Sequence, residues 1–409
     1  MTVLTRLFSE GFRIFFLSAC VFAVLAMVVW EGWLAIHALG GMVELPAAIP
    51  PHYWHAHEMI FGYAGAALAG FFLTAVPTWT GAKPAPHRFI ALAFALWLAG
   101  RLALWASGAL PPALVALADL SFLPVLAAKI GVQLLVRPKP QQLIFLGVLA
   151  LLWAANLFCH LEWMGFVGNG AAPGLRAGLL GLAALIMILG GRVTPGFTRN
   201  AMVQSGRTEG LPRTPTALAP AAITPAMVLP AALLIGLPEP VLAPLALLAG
   251  LAGLARVALW RGSWTLPRPI LWTLHLSYAL NAMGLVLLGL AWLGFGSEIA
   301  ALHLIGIGGV GGMTLAMLSR ATLGHAGRPL HAPGPLALAY GLIPLAALAR
   351  FAASTLPAQY TVLNLVAGAL WLVAFTLVLA VLVPVFVTPR PPRAPAGRPP
   401  QPAAKEAPS

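Results

Sequence analysis

Long apolar runs, separated by short stretches rich in Gly, Pro or charge, repeat along almost the whole chain. A helix needs about 20 apolar residues to cross the ~30 Å hydrocarbon core of a bilayer. Twelve such runs occur, at residues 12–38, 55–79, 88–107, 112–135, 141–161, 175–194, 216–236, 240–260, 269–293, 298–319, 335–354 and 360–388. The pattern predicts an all-α polytopic membrane protein with about twelve transmembrane helices.

Composition supports a lipid environment. Of the 409 residues, 60% are hydrophobic and only 8% are charged, too few to cover a soluble protein of this size. Soluble enzymes and nucleic-acid binders are therefore excluded, and no nucleic-acid partner is expected. The two cysteines, Cys20 and Cys159, both lie in apolar runs, so a disulfide scaffold is excluded as well.

The basic residues predict the orientation, because Lys and Arg collect on the cytoplasmic side of a membrane. With the N-terminus inside, all but three of the 23 Lys and Arg residues fall on the inner side, and the exceptions are Arg101, Arg176 and Arg350. Both termini are thus predicted to be cytoplasmic. We expect one transmembrane domain over residues 1–388 and a disordered, Pro- and Arg-rich cytoplasmic tail over residues 389–409.

Polar residues at membrane depth are costly and usually have a function. The chain has ten His residues but a single Asp, Asp119. Several of these polar side chains are predicted near the outer face, namely His37, His52, His55, His57, His160, His303, Glu31, Glu58 and Glu162.

The densest group is the sequence PHYWHAHEM at residues 51–59. Closely spaced imidazoles suit a transition metal such as copper, iron or zinc. On an ideal helix His55 and His57 point about 200° apart, so they share a metal only if the helix begins after them and otherwise serve two sites. Glu58 is expected on the face of His55, where a carboxylate could hold the far nitrogen of a ligating imidazole. The alternative is that these histidines lie at the membrane interface, are hydrated and bind no metal.

Two further histidines near the outer face, His160 and His303, are candidate ligands. His160 ends the fifth helix, with Asn156 one turn below it, and an interfacial role is the alternative. His303 lies inside the tenth helix beside Gly306, Gly308, Gly309, Gly311 and Gly312. These glycines allow close approach of either a flat cofactor or another helix.

His275 lies near the inner third of the ninth helix, about 25 Å from its outer end. It is therefore not expected to share a metal with the outer histidines. A haem ligand, a proton relay and a buried His bonded to Tyr278 or Ser277 are the alternatives.

Helices two, six and ten end in segments of similar composition, drawn from Thr, Arg, Gly and Pro, at residues 74–81, 191–200 and 318–325. Their order suggests three groups of four helices. The sequences HAHEMIFGY at residues 55–63 and GFFLTAVPTWTG at residues 70–81 resemble the NnrS family of bacterial membrane proteins, and residues 190–200, 274–275 and 318–325 are similar to its later motifs.

The resemblance runs from about Phe12 to Leu330. It implies an inner-membrane protein that contains haem b and copper and lessens damage from nitric oxide during nitrosative stress or denitrification. An electron donor, which the sequence does not identify, would be needed for turnover.

We therefore predict a haem and copper protein that binds or converts nitric oxide; catalysis, as an oxidoreductase, stays open beside simple sequestration. His55, His57 and His303 are the predicted metal ligands, and His160, His275 and His303 are the predicted cofactor-binding residues. Glu58 is the predicted catalytic group, and either Glu58 or Glu31 could relay protons. The alternative is a twelve-helix transporter without a redox cofactor. This alternative rests on a short sequence similarity between residues 101–105 (RLALW) and 256–260 (RVALW). The two segments are predicted in opposite membrane orientations, as in the inverted repeats of transporters.

Overall fold

The structure, a computed structural model, describes residues 2–136 and 138–391. Within these residues the chain is helical and contains no β-strand. A short helix, Val3–Leu7, precedes twelve apolar helices. They are α1 (Gly11–Ala38), α2 (Pro51–Thr80), α3 (His87–Trp105), α4 (Pro112–Val136), α5 (Pro140–Trp163), α6 (Ala171–Gln204), α7 (Leu218–Leu234), α8 (Glu239–Ala258), α9 (Pro269–Trp292), α10 (Glu298–His325), α11 (Gly334–Thr355) and α12 (Pro357–Val387).

Eleven of the twelve helices are long and apolar enough to cross a membrane. The exception is α7, whose 17 residues extend about 25 Å. It packs between α6 and α8. The prediction of a polytopic all-α fold with about twelve helices is confirmed, with α7 as the short member. The predicted disordered tail lies almost wholly outside the described residues.

Three helices form an inner layer. In their most apolar stretches, α2 and α6 are 78% buried and α10 is 67% buried, against 33–56% in the other eight long helices. These three helices contact one another, and α12 packs along α1 to close the outer layer. The outer helices can leave apolar side chains exposed because lipid covers them. The inner layer consists of the second helix of each group of four suggested by the sequence.

Each inner helix contains a π-helical segment: Glu58–Tyr63 in α2, Ile186–Gly190 in α6 and Leu304–Gly311 in α10. A π turn disturbs the regular i to i−4 hydrogen bonds, and at membrane depth an unpaired carbonyl is costly. Side chains of outer helices supply donors. Arg256 donates to the carbonyls of Met187 (2.9 Å) and Gly191 (3.0 Å), and Trp97 donates to the carbonyl of Gly62 (2.9 Å).

The two ends of the described chain meet on one face. Arg6 donates to the carbonyl of Val387 (2.7 Å), and Arg13 donates to that of Phe386 (2.8 Å). These are last-turn carbonyls of α12, which have no partner within the helix. Both ends of the membrane domain therefore lie on the same side, which we predict to be cytoplasmic and call the inner face; the opposite face is called the outer face.

Candidate metal and cofactor sites

The outer end of α2 decides how its histidines are used. The helix begins at Pro51, so both His55 and His57 have helical backbone, and the π segment starts one residue after His57. The two imidazoles therefore point to different sides of α2. His55 lines a cavity between α2 and other helices, whereas His57 is fully buried on the opposite side. The two-site alternative left open by the sequence is the one that the fold adopts.

The first site is a cavity of about 210 Å³ near the outer face, which we call the outer cavity. Helices α1, α2, α6, α10, α11 and α12 form its walls, and most of its lining is apolar. His55 and His303 both line it. The Nδ1 atom of His55 is buried and makes no hydrogen bond, and its ring stacks on Trp30 with centroids 4.5 Å apart.

His303 is held in one tautomer. Its Nδ1 atom lies 2.8 Å from the carbonyl oxygen of Ile299, one turn earlier, and must donate to it. The Nε2 atom is then left with a free lone pair. An imidazole whose other nitrogen donates to a backbone carbonyl is the usual state of a metal-ligating histidine.

Charged side chains sit among the apolar lining of the outer cavity. Arg176, Arg350 and Glu31 all border it. Arg176 is 36% exposed and donates to Glu298 (2.8 Å), while Arg350 donates to Ser354 (2.5 Å). The cavity thus presents two guanidinium groups and one carboxyl group near two imidazoles.

The glycines of α10 divide between two uses. A Cβ atom at Gly308 or Gly309 would lie 2.9 Å from Leu280 or Asn281 of α9, so these glycines allow close helix packing. Gly306 instead borders the outer cavity. Helix packing therefore explains part of the glycine stretch, and one glycine keeps the cavity wall open.

The second site lies between α2, α3, α4 and α5, and we call it the buried polar cluster. Its members are His57, Glu58, Arg101, Asp119, Asn156 and His160, each at most 6% exposed. Arg101 pairs with both Glu58 and Asp119. His160 Nε2 lies 2.8 Å from Asp119 Oδ2, and His57 Nδ1 lies 3.1 Å from Glu58 Oε1.

Asn156 joins the two halves of the cluster. Its Nδ2 atom donates to Asp119 Oδ2 (2.8 Å), so its Oδ1 atom faces His57 Nε2 (2.8 Å) and accepts a hydrogen bond from it. Both nitrogens of His57 therefore face oxygen acceptors, Asn156 Oδ1 and Glu58 Oε1. One ligand atom each from His57, Asp119 and His160 lie within 4.8 Å of one another, close enough to hold a metal ion.

The structure separates residues that the sequence grouped together. The predicted ligands His55, His57 and His303 divide between the two sites, and His160 lies with His57 rather than with His303. The predicted pairing of Glu58 with His55 is wrong, because Glu58 bonds to His57 instead. The π turn that begins at Glu58 changes the angular spacing of side chains, so the expected three-residue face does not apply.

His275 belongs to neither site. Its Nε2 atom bonds to Thr198 Oγ1 (2.8 Å), near the inner end of α9. The alternative partners considered from the sequence are engaged elsewhere: Tyr278 accepts from Arg256, and Ser277 donates to the carbonyl of Thr273. The separation of His275 from the outer histidines agrees with the prediction, and its predicted role as a cofactor ligand stays a prediction.

Sequence reasoning overlooked several members of the sites, but a signal was present. Arg101, Arg176 and Arg350 are the three basic residues that depart from the positive-inside pattern, and all three lie in or beside a site. Asp119 is the single aspartate of the chain and lies at the centre of the buried polar cluster. Basic residues that depart from the positive-inside pattern were therefore the signal in the sequence that indicated the two sites.

The fold and the two sites define a multi-pass helical membrane protein with a histidine-lined cavity and a buried His-Asp-His cluster suited to a metal ion. A comparison with protein families gives the assignment: the model described as NnrS protein matches residues 6–390 of the 409, so the chain belongs to the NnrS family. Searches of curated proteins and of solved structures found no match for this chain.

Proposed function

We propose that this protein binds haem b in the outer cavity and copper in the buried polar cluster, and that it uses them to bind or convert nitric oxide in a bacterial inner membrane. Membership of the NnrS family supports the cofactor classes and the ligand. The observation that carries the proposal is the pair of imidazoles, His55 and His303, that border one apolar cavity.

The residues of the outer cavity fit a haem. His55 has a buried Nδ1 atom without a partner, and His303 has a free Nε2 atom, so both imidazoles offer a nitrogen that could hold the iron. Arg176 and Arg350 supply positive charge for the two propionates. The apolar lining suits the macrocycle, and Trp30 holds the ring plane of His55 by stacking.

The residues of the buried polar cluster fit copper. Imidazole nitrogens of His57 and His160, with a carboxylate oxygen of Asp119, form an N,N,O donor set that copper accepts. Glu58 holds the far nitrogen of His57, which orients the imidazole. A metal held here would require deprotonated Nε2 atoms on His57 and His160, both of which lie near Asp119 Oδ2.

The residues around the outer cavity have separate roles in the proposed reaction. Haem, when bound, supplies an iron that takes nitric oxide as a ligand. Glu31 borders the cavity and is the group placed to hold or deliver a proton there, whereas Glu58 is engaged by Arg101 and His57. The predicted role of Glu58 is therefore restated as positioning His57.

The first test is the optical spectrum of the protein, purified in mild detergent from cells with ample haem and copper. We expect a Soret band that shifts on reduction with dithionite and shifts again when nitric oxide is added. A colourless protein would overturn the haem proposal and favour a transporter. Measured copper near one equivalent supports the second half of the proposal, and none would overturn it.

A further inference from the structure

A second cavity lies between the three inner helices, on the inner side of the outer cavity. Its volume is about 70 Å³, and we call it the central chamber. Residues of α2, α6 and α10, with Phe16 of α1, form its wall. Leu182 and Val310 line both cavities, so the two spaces meet end to end at these side chains.

The wall of the central chamber is apolar. Its fifteen lining residues, all within the described part of the chain, include no charged side chain, and Thr314 carries the only hydroxyl among them. Twelve of the fifteen are buried. Apolar cavities of this kind stay dry, and one of ~150 Å³ takes up benzene or xenon. A chamber of half that volume has room for a smaller apolar molecule.

The small residues of the inner helices leave this space unfilled. Ala64 and Ala67 of α2 border the chamber, where longer side chains would occupy it, and Gly190 of α6 forms part of its wall. The chamber also lies beside the π segments, since Ile186 and Gly190 bound the one in α6 and Val310 belongs to the one in α10. Empty volume in a core normally costs stability, so an unfilled apolar space at this position calls for an occupant.

We infer that the central chamber takes up small, uncharged gas molecules from the hydrocarbon of the bilayer and passes them to the outer cavity between Leu182 and Val310. A dry chamber favours an apolar diatomic gas over water or ions, because it offers neither enough hydrogen-bond partners nor charge. The uptake stands on the chamber alone. The passage to a reaction partner rests on the haem of the proposed function.

Xenon tests the uptake without any cofactor. Crystals of the full chain, grown in lipid and pressurised with xenon, are expected to show an anomalous difference peak between α2, α6 and α10. Ala67→Phe fills the chamber and should abolish this peak. Leu248→Phe, at a half-exposed position on α8 that faces lipid, is the control and should retain it. An absent peak in the unaltered protein, or a peak retained in Ala67→Phe, overturns the inference.

The passage is tested by the rate at which nitric oxide binds to the reduced protein after flash photolysis. Val310→Phe narrows the junction and is expected to slow association at least fivefold while the Soret band of the reduced protein stays unchanged. Leu248→Phe should leave the rate unchanged. An unchanged rate in Val310→Phe overturns the passage. If the protein holds no haem, the xenon peak still decides the uptake, so failure of the proposed function and failure of this inference are distinguishable.

Discussion

The outer cavity and the buried polar cluster lie on opposite sides of α2, and they differ in how their buried polar atoms are hydrogen-bonded. In the cluster, Asn156, Arg101 and the two carboxylates pair with one another and with the two imidazoles, and Arg101 Nε is the one buried polar atom of its six members that makes no hydrogen bond. In the cavity, His55 Nδ1 and Asn364 Nδ2 are buried without a hydrogen bond. A network of polar side chains that pair with one another specifies helix packing, whereas an imidazole and an amide that face an apolar space without a partner mark a place for a ligand.

The comparison predicts first that breaking the cluster costs stability. Arg101→Met leaves the carboxylates of Glu58 and Asp119 buried without their cation, and we expect a loss of about 3–5 kcal/mol in the free energy of unfolding. Denaturation in detergent micelles measures it. Arg176→Met is the control, because its partners are partly exposed and the expected loss is about 0–1 kcal/mol. Equal losses in the two variants would contradict the difference between the sites.

The second prediction is that the two sites lose their cofactors independently. His303→Ala should remove most of the Soret absorbance and keep copper, because it alters only the cavity. His160→Ala should remove copper and keep the Soret band, because it alters only the cluster. Absorbance and elemental analysis of the folded fractions measure both. Loss of both cofactors from each variant would show one joint site instead of two.

The third prediction, which has the smallest expected effect, compares variants of two buried asparagines. Asn156→Ala removes the amide that orients His57 and Asp119, and we expect copper affinity to fall about 10- to 100-fold. Asn364→Ala, in the outer cavity, is the matched control and should leave copper affinity unchanged. Competition with a copper chelator gives the affinities. A similar decrease in both variants would mean that the amide of Asn156 acts through general packing.

Much of the fold could be read from hydropathy, because each span must be apolar and of bilayer length. All twelve predicted segments overlap helices, although α7 is shorter than a full span. Sequence reasoning found the candidate ligands by residue type, since imidazoles at membrane depth are rare without a function. It did not find which of these residues lie together in the fold. The pairing of His57 with His160, and of Glu58 with His57, depends on contacts between helices that are distant in sequence.

The sequence by itself determined the membrane class, most of the spans, the family and the end of the helices near which most of the candidate histidines lie. Only the tertiary structure decided which of them meet. In a bilayer the outward face of a helix is as apolar as the inward face, so hydropathy does not tell which sides pack together. The π turn at Glu58 adds a local change of register that no spacing rule anticipates, and with it the two sides of α2 become two different sites.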